Sequence, residues 1–189
     1  DAKPLAGKKL LITAGPTYER IDPVRFIGNF STGKMGFALA DAAARMGADV
    51  TMVSGPVSIK AAERSVKVIS VESAVQMRDA CVSLFPGCDI AIMCAAVADY
   101  APAAPAASKI KREGHEAPVI TLVKNPDIAA TLGAMKTGSQ KVIGFALETD
   151  NEMANAADKL ARKHLDMIVL NSLRDAGSGF ATDTNSVTI

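Results

Sequence analysis

Residues 28–36 read Gly28-Asn29-Phe30-Ser31-Thr32-Gly33-Lys34-Met35-Gly36, and they close a polar loop directly before an alanine-rich helix. Small residues at such a turn let an anion approach the backbone. The N-terminus of the helix adds N–H groups that have no intrahelical partner, and a partial positive charge. The stretch therefore predicts an anion site for a nucleotide. The alternative is a glycine-rich turn that only packs the helix tightly against a sheet.

Two familiar phosphate-binding motifs come close to this stretch. The spacing Gly28-x4-Gly33-Lys34 approaches a P-loop, but Met35 stands where that loop needs a Mg²⁺-binding hydroxyl, so we reject an ATPase of that class. A dinucleotide fold usually carries an acidic residue at the end of its second strand, where this chain has residues 54–56, Ser-Gly-Pro. The Tyr-x-x-x-Lys pair of short-chain reductases is also absent, since Ala104 is the fourth residue after Tyr100. A short-chain NAD(P)-dependent reductase remains the alternative enzyme.

Composition bounds the class of protein. The chain has 189 residues, 49% of them hydrophobic, and a net charge of +1, which favours one globular domain over disorder or a strongly basic nucleic-acid binder. No apolar run is long enough to cross a membrane. The three cysteines have no C-x-x-C spacing and indicate free thiols in a reducing compartment, so we expect a cytoplasmic protein. Two histidines argue against a histidine-based metal site.

Strands and helices are predicted to alternate, which indicates an α/β fold: a Rossmann-like, doubly wound and mostly parallel sheet. The expected strands are 9–14, 49–53, 66–71, 89–94, 141–147 and 166–170, and 187–189 is a possible edge strand. The expected helices are 34–46, one through 77–84, one that begins at 125–128 with Pro126 near its first position, and 151–164. We expect core-facing sets of Met35, Leu39, Ala42, Ala43 and Met46 in the first helix and Met153, Ala157, Leu160 and Ala161 in the last.

Two lysine-bearing segments are candidates for anion binding. Residues 109–123 are interpreted as a β-hairpin flap that turns near Gly114, with Lys109 and Lys111 on one face; a solvated edge strand is the alternative. Lys159 and Lys163 lie one helical turn apart on another face of the last helix, where an anionic partner would reverse their repulsion. Plain solvent exposure is the alternative for this pair.

Six motifs occur in order along the chain, and together they resemble the bacterial phosphopantothenate–cysteine ligase (phosphopantothenoylcysteine synthetase) family from about residue 8 to residue 189. They are residues 12–17 (ITAGPT), 22–27 (DPVRFI), 29–36 (NFSTGKMG), 95–100 (AAVADY), 109–111 (KIK) and 124–128 (KNPDI). Residues 1–7 are interpreted as a linker or an expression remnant.

The resemblance implies a ligase of coenzyme A biosynthesis that uses CTP. The carboxylate of 4′-phosphopantothenate would attack the α-phosphate of CTP and release pyrophosphate, and the amine of L-cysteine would then displace CMP from the acyl-cytidylate. The family also implies Mg²⁺ or Mn²⁺, whose ligands are left unassigned, and a homodimer. The flavin-dependent decarboxylase half that is normally upstream, which would carry FMN, is absent from this sequence. The chain also ends before further strand and helix, so we expect a C-terminally truncated piece of a multifunctional enzyme.

The resemblance also assigns residues to roles. Asn29 would donate to the acyl-cytidylate, and Lys109 on the flap would close over it, either in the same subunit or from the partner subunit. These two residues are the catalytic candidates. Substrate binding is implied for Arg25 (toward the neighbouring subunit), Asn29, Ala95, Ala96 and Asp99. The implied nucleotide contacts are Gly15, Ser31, Gly33, Gly36, Met93, Cys94, Ala95, Asp99, Lys109, Pro126, Asp127, Ile128, Ala129, Phe145, Lys159, Lys163 and Asn171. We expect Ser31, Phe145 and Lys159 to surround one cavity.

Overall fold

The computed structural model describes residues 3–112, 117–148, 151–172 and 186–189. In these ranges the largest sheet has seven strands, in the order β11-β10-β9-β6-β1-β4-β5. They are β1 (Lys9–Ala14), β4 (Asp49–Ser54), β5 (Lys67–Ser70), β6 (Ile90–Met93), β9 (Lys141–Glu148), β10 (Met167–Ser172) and β11 (Val187–Thr188). The first six pair in parallel, and β11 pairs antiparallel with β10. The predicted doubly wound, mostly parallel α/β fold is confirmed, including the C-terminal edge strand.

Helices cover both faces of the sheet. They are α1 (Lys34–Arg45), α2 (Ala74–Leu84), α3 (Ile128–Met135) and α4 (Glu152–Arg162). Because side chains alternate along a strand, Leu10 and Ile12 of β1 pack with α1 on one face, and Leu11 packs with α2 and α3 on the other. Ala146 of β9 packs with Ala156 of α4. It lies on the same face as α2 and α3, since it alternates in step with Val142.

The expected core faces of α1 and α4 are wrong in part. In α1 the buried residues are Gly36, Phe37, Ala40 and Ala43, and Met46 is 47% exposed. Gly36 is buried because a Cβ there would lie 2.5 Å from the Cβ of Ala14, so its absence lets α1 pack directly against β1. In α4 the buried residue is Ala156, and three members of the expected inward set, Met153, Ala157 and Ala161, are exposed.

Two short antiparallel pairs lie outside the main sheet. Residues 15–31, between the first predicted strand and the first predicted helix, contain β2 (Tyr18–Arg20) paired with β3 (Phe26–Gly28). The predicted flap is displaced: the antiparallel pair is β7 (Tyr100–Pro102) with β8 (Leu122–Lys124), and Lys109 and Lys111 lie in no strand. The backbone N–H of Ala106 instead donates to the carbonyl of Ile21 at 2.8 Å. The turn expected near Gly114 lies outside the described residues.

Asp166 joins the amino ends of β9 and β10. It accepts hydrogen bonds from Lys136 Nζ at 2.7 Å, Lys141 Nζ at 3.1 Å and the Val142 N–H at 2.9 Å. Burial acts to raise the pKa of the Asp166 carboxyl, but these bonds and the lysine charges outweigh it and lower the pKa to about 2. A lowered pKa in the folded state stabilises the protein above the ordinary carboxyl pKa near 4, and this contribution disappears as the pH falls toward 2.

We therefore expect Asp166→Asn to reduce the free energy of unfolding at pH 7 by about 1 kcal/mol, since these pairs are partly solvent-exposed. The difference from the parent should shrink between pH 4 and pH 2. Denaturant unfolding across this pH range measures it. Asp158→Asn is the control, because Asp158 is 68% exposed and pairs only with Arg162 among the ion pairs observed in the described part of the chain. A destabilisation that is constant with pH would contradict the prediction.

Candidate functional site

A cavity of about 440 Å³ opens at the carboxyl ends of β1 and β6 and beside the middle of β9, on the face that carries α3 and α4. Ten of the predicted site residues line it: Met93, Ala95, Asp99, Pro126, Asp127, Ile128, Ala129, Phe145, Lys159 and Lys163. The carboxyl edge of a parallel sheet is where such folds place their ligands. The geometry thus brings together the strand-end residues, the start of α3 and both lysines of α4.

The loop after β6, residues 95–99, is held in place by four side chains. Thr13 Oγ1 accepts the Ala95 N–H at 3.2 Å, and Thr17 Oγ1 accepts the Ala98 N–H at 2.9 Å. Two amides complete the set: Asn29 Nδ2 donates to the Val97 carbonyl at 3.0 Å, and Asn125 Nδ2 donates to the Ala98 carbonyl at 2.8 Å. These four hydrogen bonds hold the loop, which forms one wall of the cavity, to residues 13–29 on one side and to Asn125 on the other.

Helix α3 begins at the cavity. Asp127 is its N-cap, and Asp127 Oδ1 accepts the Ala130 N–H at 3.0 Å. Pro126 therefore lies two residues before the first helical residue, near that position as predicted. Lys163 Nζ lies 2.9 Å from Asp127 Oδ2. Burial acts to raise the pKa of the Asp127 carboxyl, but the N-cap bond and Lys163 outweigh it and hold the pKa below its usual range. The carboxylate therefore stays ionised and anchors Lys163 beside the start of α3.

The charge of the cavity is positive. Lys124, Lys159 and Lys163 line it together with Asp99 and Asp127, so three ammonium groups face two carboxylates. Lys159 and Lys163 are half-buried and lie on the same side of α4 as buried Ala156, so this is the side that faces the sheet. The first-turn N–H groups of α3 add a partial positive charge at the same place. A cavity of this kind suits a polyanion.

Several cavity-lining residues were not predicted from the sequence. They are Thr13, Val97, Ala98, Tyr100, Lys124, Asn125, Gly144, Leu165 and Ile168. Lys124 and Asn125 could have been found, because they directly precede Pro126 in one of the six motifs. Gly144, Leu165 and Ile168 carried no signal of their own, since they are ordinary positions of a strand or its flank.

The glycine turn, residues 28–36, leads into α1, the helix that covers the opposite face of the sheet. Gly15, Ser31, Gly33 and Gly36 do not line the cavity, so the expectation that Ser31 shares a cavity with Phe145 and Lys159 is wrong. A Cβ on Gly33 would lie 2.9 Å from Val57 Cγ1 and 3.5 Å from the Cα of Gly15, so close packing explains the absence of a side chain there. The positive φ of Gly33, 78°, also favours glycine.

The remaining predicted residues are not among those that line the cavity. The Ala96 N–H donates to the Gly15 carbonyl at 2.9 Å, and Asn171 Nδ2 lies 4.0 Å from Met35 Sδ. Burial raises the pKa of the Cys94 thiol to about 12, so it remains protonated at neutral pH and is a poor nucleophile. Arg25 bonds to the backbone next to Lys109, since Arg25 Nη2 donates to the Ile110 carbonyl at 2.9 Å.

Comparison with known proteins places this architecture in a family. The sequence profile described as "DNA/pantothenate metabolism flavoprotein C-terminal domain" matches residues 5–189. The chain belongs to this family. It is 48% identical over 188 residues to the coenzyme A biosynthesis bifunctional protein CoaBC of Vibrio vulnificus strain YJ016, a match that covers 99% of this chain and 47% of the relative. The CoaBC protein of Bacillus subtilis strain 168 is 47% identical over 186 residues, with 98% and 45% covered.

A further relative of the flavoprotein C-terminal domain family carries a different name. The chain is 57% identical over 187 residues to a protein from an unknown prokaryotic organism named cysteine/cysteine sulfinic acid decarboxylase, covering 99% of this chain and 52% of that protein. The chain thus spans about half the length of the curated relatives it matches. Among solved structures, the C-terminal domain of CoaBC superposes with a TM-score of 0.79 at 44% identity, covering 90% of this chain and 80% of that one. The comparisons give the reductase alternative no support.

No helix in the described part of the chain is long and apolar enough to span a bilayer. Across the same ranges, no group of three or more histidine, cysteine or acidic residues is arranged to hold a metal ion.

Proposed function

We propose that this chain is the ligase unit that joins 4′-phosphopantothenate to L-cysteine at the expense of CTP, with release of CMP and pyrophosphate. The observation that carries the proposal is the cavity itself, in which Lys124, Lys159 and Lys163 surround the start of α3 beside the fixed loop 95–99. Membership in the flavoprotein C-terminal domain family and the 48% identity to a CoaBC protein support this choice of reaction.

The proposed reaction has two steps. A carboxylate oxygen of phosphopantothenate attacks the α-phosphorus of CTP, the bond to the β-phosphate breaks, and pyrophosphate leaves. The amine of cysteine then attacks the acyl carbon, CMP leaves with the bonding electron pair, and the amine loses a proton to solvent. Both steps need the reactants held in line and their negative charge balanced, because phosphoryl transfer depends chiefly on positioning and electrostatics.

The cavity residues divide this work. Lys159 and Lys163 neutralise the triphosphate, and Asp127 keeps Lys163 in place at 2.9 Å. The N–H groups at the start of α3 donate hydrogen bonds to phosphate oxygens, which helix N-termini commonly bind. Asn29 uses one amide hydrogen on the Val97 carbonyl, and an amide NH₂ has a second hydrogen that is available for the acyl-cytidylate.

A divalent cation fits this arrangement. Mg²⁺ or Mn²⁺ is commonly held by one or two carboxylates together with phosphate oxygens. Asp99 is the cavity carboxylate that would contribute, since Asp127 already binds the Ala130 N–H and Lys163. The cation would supply further charge neutralisation at the phosphates. The roles of Gly15, Ser31, Gly33, Gly36, Cys94, Ala96 and Asn171, the homodimer, the cytoplasmic location and an FMN-bearing decarboxylase half stay predictions.

The direct test is pyrophosphate release from CTP in the presence of phosphopantothenate, cysteine and Mg²⁺. We expect multiple-turnover release that requires all three substrates, with at most one pyrophosphate per site without cysteine because cysteine acts only in the second step. The turnover should fall by roughly 100-fold in Asn29→Ala and in Lys109→Ala, the range seen when a donor to a reaction intermediate is removed. Release by the parent no greater than by these variants would contradict the proposal. CTP binding without product at saturating substrates would instead indicate a nucleotide-sensing module, and tight binding of NADPH but not CTP would indicate a reductase.

A further inference from the structure

Asp22 is buried and is not among the residues that line the cavity. Its side chain is fully shielded from solvent, and it belongs to the turn between β2 and β3. Asp22 Oδ1 accepts the N–H groups of Val24 and Arg25, each at 2.8 Å. These two bonds shape the turn locally, as an aspartate commonly does.

The second carboxylate oxygen reaches across the sequence. Asp22 Oδ2 accepts the N–H of Ile110 at 3.1 Å, 88 residues away. Arg25 Nη2 donates to the carbonyl of the same residue at 2.9 Å, and Arg25 Nε lies 3.7 Å from Asp22 Oδ2. The Asp22–Arg25 ion pair therefore forms hydrogen bonds with both the N–H and the C=O of Ile110.

Ile110 is the centre of the Lys109-Ile110-Lys111 segment. The flanking lysines lie outside any strand, so this backbone is held by its bonds to Asp22 and Arg25 and not by pairing with a neighbouring strand. The Ala106 N–H, bonded to the Ile21 carbonyl at 2.8 Å, ties the same segment to the same turn a few residues earlier. When a buried carboxylate accepts a hydrogen bond from a distant backbone N–H, it holds that backbone more firmly than an exposed carboxylate would.

We propose that Asp22 is a positioning residue for Lys109, acting through the backbone of Ile110. Arg25 contributes the second contact to this backbone, through the Ile110 carbonyl. The catalytic part of the inference rests on the proposed ligase function, since it is that reaction that needs Lys109 in a defined place. The positioning part concerns this chain's own contacts and is tested without substrate.

The substrate-free test is limited proteolysis of Asp22→Asn with trypsin, following cleavage after Lys111. A protease must draw several residues on each side of the cleaved bond into its cleft, so Ile110 has to leave Asp22 first. We expect cleavage at this bond to be about tenfold faster in the variant, because local opening controls it. Ile110→Pro removes the N–H without touching the buried carboxylate and should accelerate the same cleavage, which guards against a variant that misfolds.

Asp41→Asn is the matched control. Asp41 also accepts hydrogen bonds from the backbone of a distant loop with both carboxylate oxygens. The donors are the Ala62 and Glu63 N–H groups, 3.1 and 3.0 Å away. It should lose a similar amount of thermal stability without faster cleavage after Lys111. Cleavage unchanged in both Asp22→Asn and Ile110→Pro, or equally accelerated by Asp41→Asn, would overturn the positioning role whether or not the parent is an active ligase.

The catalytic part has its own readout in the ligase assay. We expect Asp22→Asn to lower kcat about tenfold, since a displaced catalytic group costs rate, and to change the KM for CTP less than twofold because the cavity lysines are untouched. An unchanged kcat together with faster cleavage would overturn the role in catalysis. A parent without ligase activity contradicts the proposed function, and the cleavage rates then decide the positioning role by themselves.

Discussion

Lys159→Glu should weaken CTP binding by about 2 kcal/mol, which is roughly 30-fold in Kd, because it replaces a half-buried ammonium with a carboxylate beside the phosphates. Lys159 lies on the sheet-facing side of α4 and lines the cavity with Lys163. The substitution should change the free energy of unfolding by no more than about 0.5 kcal/mol, the usual range for a surface charge. Isothermal titration of CTP and denaturant unfolding measure the two quantities on one sample.

Arg162→Glu is the matched control for this substitution. It makes the same charge change on the same helix, but Arg162 has a side chain 60% exposed and bonds to Asp158 one turn earlier. Its effect on CTP affinity should be small and should fade as salt is added, since exposed charges are screened over about 10 Å at 0.1 M ionic strength. Equal CTP affinity in Lys159→Glu and the parent would show that Lys159 is only solvated. That result would contradict the proposal that the cavity binds a triphosphate.

The orientation of α4 explains why the sequence predicted both lysines but not their direction. Alanine occurs on both sides of this helix, so apolar spacing does not decide which side is buried. Ala156 faces the sheet, and Met153 is 65% exposed. A lysine can cover apolar surface with its methylene stem while its ammonium reaches a polar space, so the side that carries Lys159 and Lys163 can pack inward. Only the position of the neighbouring strands selects that side.

The glycine turn shows a second limit. The order of strands predicts that ligands collect at the carboxyl edge, and residues 95–99 and 125–129 do lie there. Sequence order does not say on which face of the sheet each connection runs. Helix α1 covers one face while α3 and α4 cover the other, so the turn at Gly33 begins a helix on the face opposite to the one that carries the lysines of α4. The close packing of Gly33 on Gly15 explains why residue 33 has no side chain, with no ligand required.

The segment around Lys109 shows a third limit. Alternating residues at 109–123 predicted a hairpin, and a hairpin exists nearby, but its strands are Tyr100–Pro102 and Leu122–Lys124. The backbone around Ile110 bonds to Asp22 and Arg25 instead of to a partner strand. Such a contact joins residues far apart in sequence and leaves no periodic pattern, because a single carboxylate can satisfy a backbone group anywhere within its reach.

The second large effect is expected from Gly133→Ala in α3. A Cβ on Gly133 would lie 1.9 Å from the carbonyl oxygen of Lys163 and 3.4 Å from that of His164. Both are backbone atoms, so α3 and the end of α4 must separate to admit a single methyl group. Forcing extra volume into a packed interior typically costs about 1–3 kcal/mol, and this contact belongs at the upper end of that range. We expect Tm to fall by roughly 6–10 °C for a chain of this size.

The same displacement should reach the cavity. Lys163 is held 2.9 Å from Asp127 at the start of the very helix that carries Gly133, so moving its backbone loosens this ion pair. CTP affinity, measured well below Tm, should therefore fall by about tenfold in Gly133→Ala. Gly87→Ala is the control, because nothing lies within 4 Å of a Cβ there. An unchanged Tm in Gly133→Ala would contradict the close packing of α3 against Lys163, and a lower Tm with unchanged CTP affinity would separate the fold of this corner from nucleotide binding.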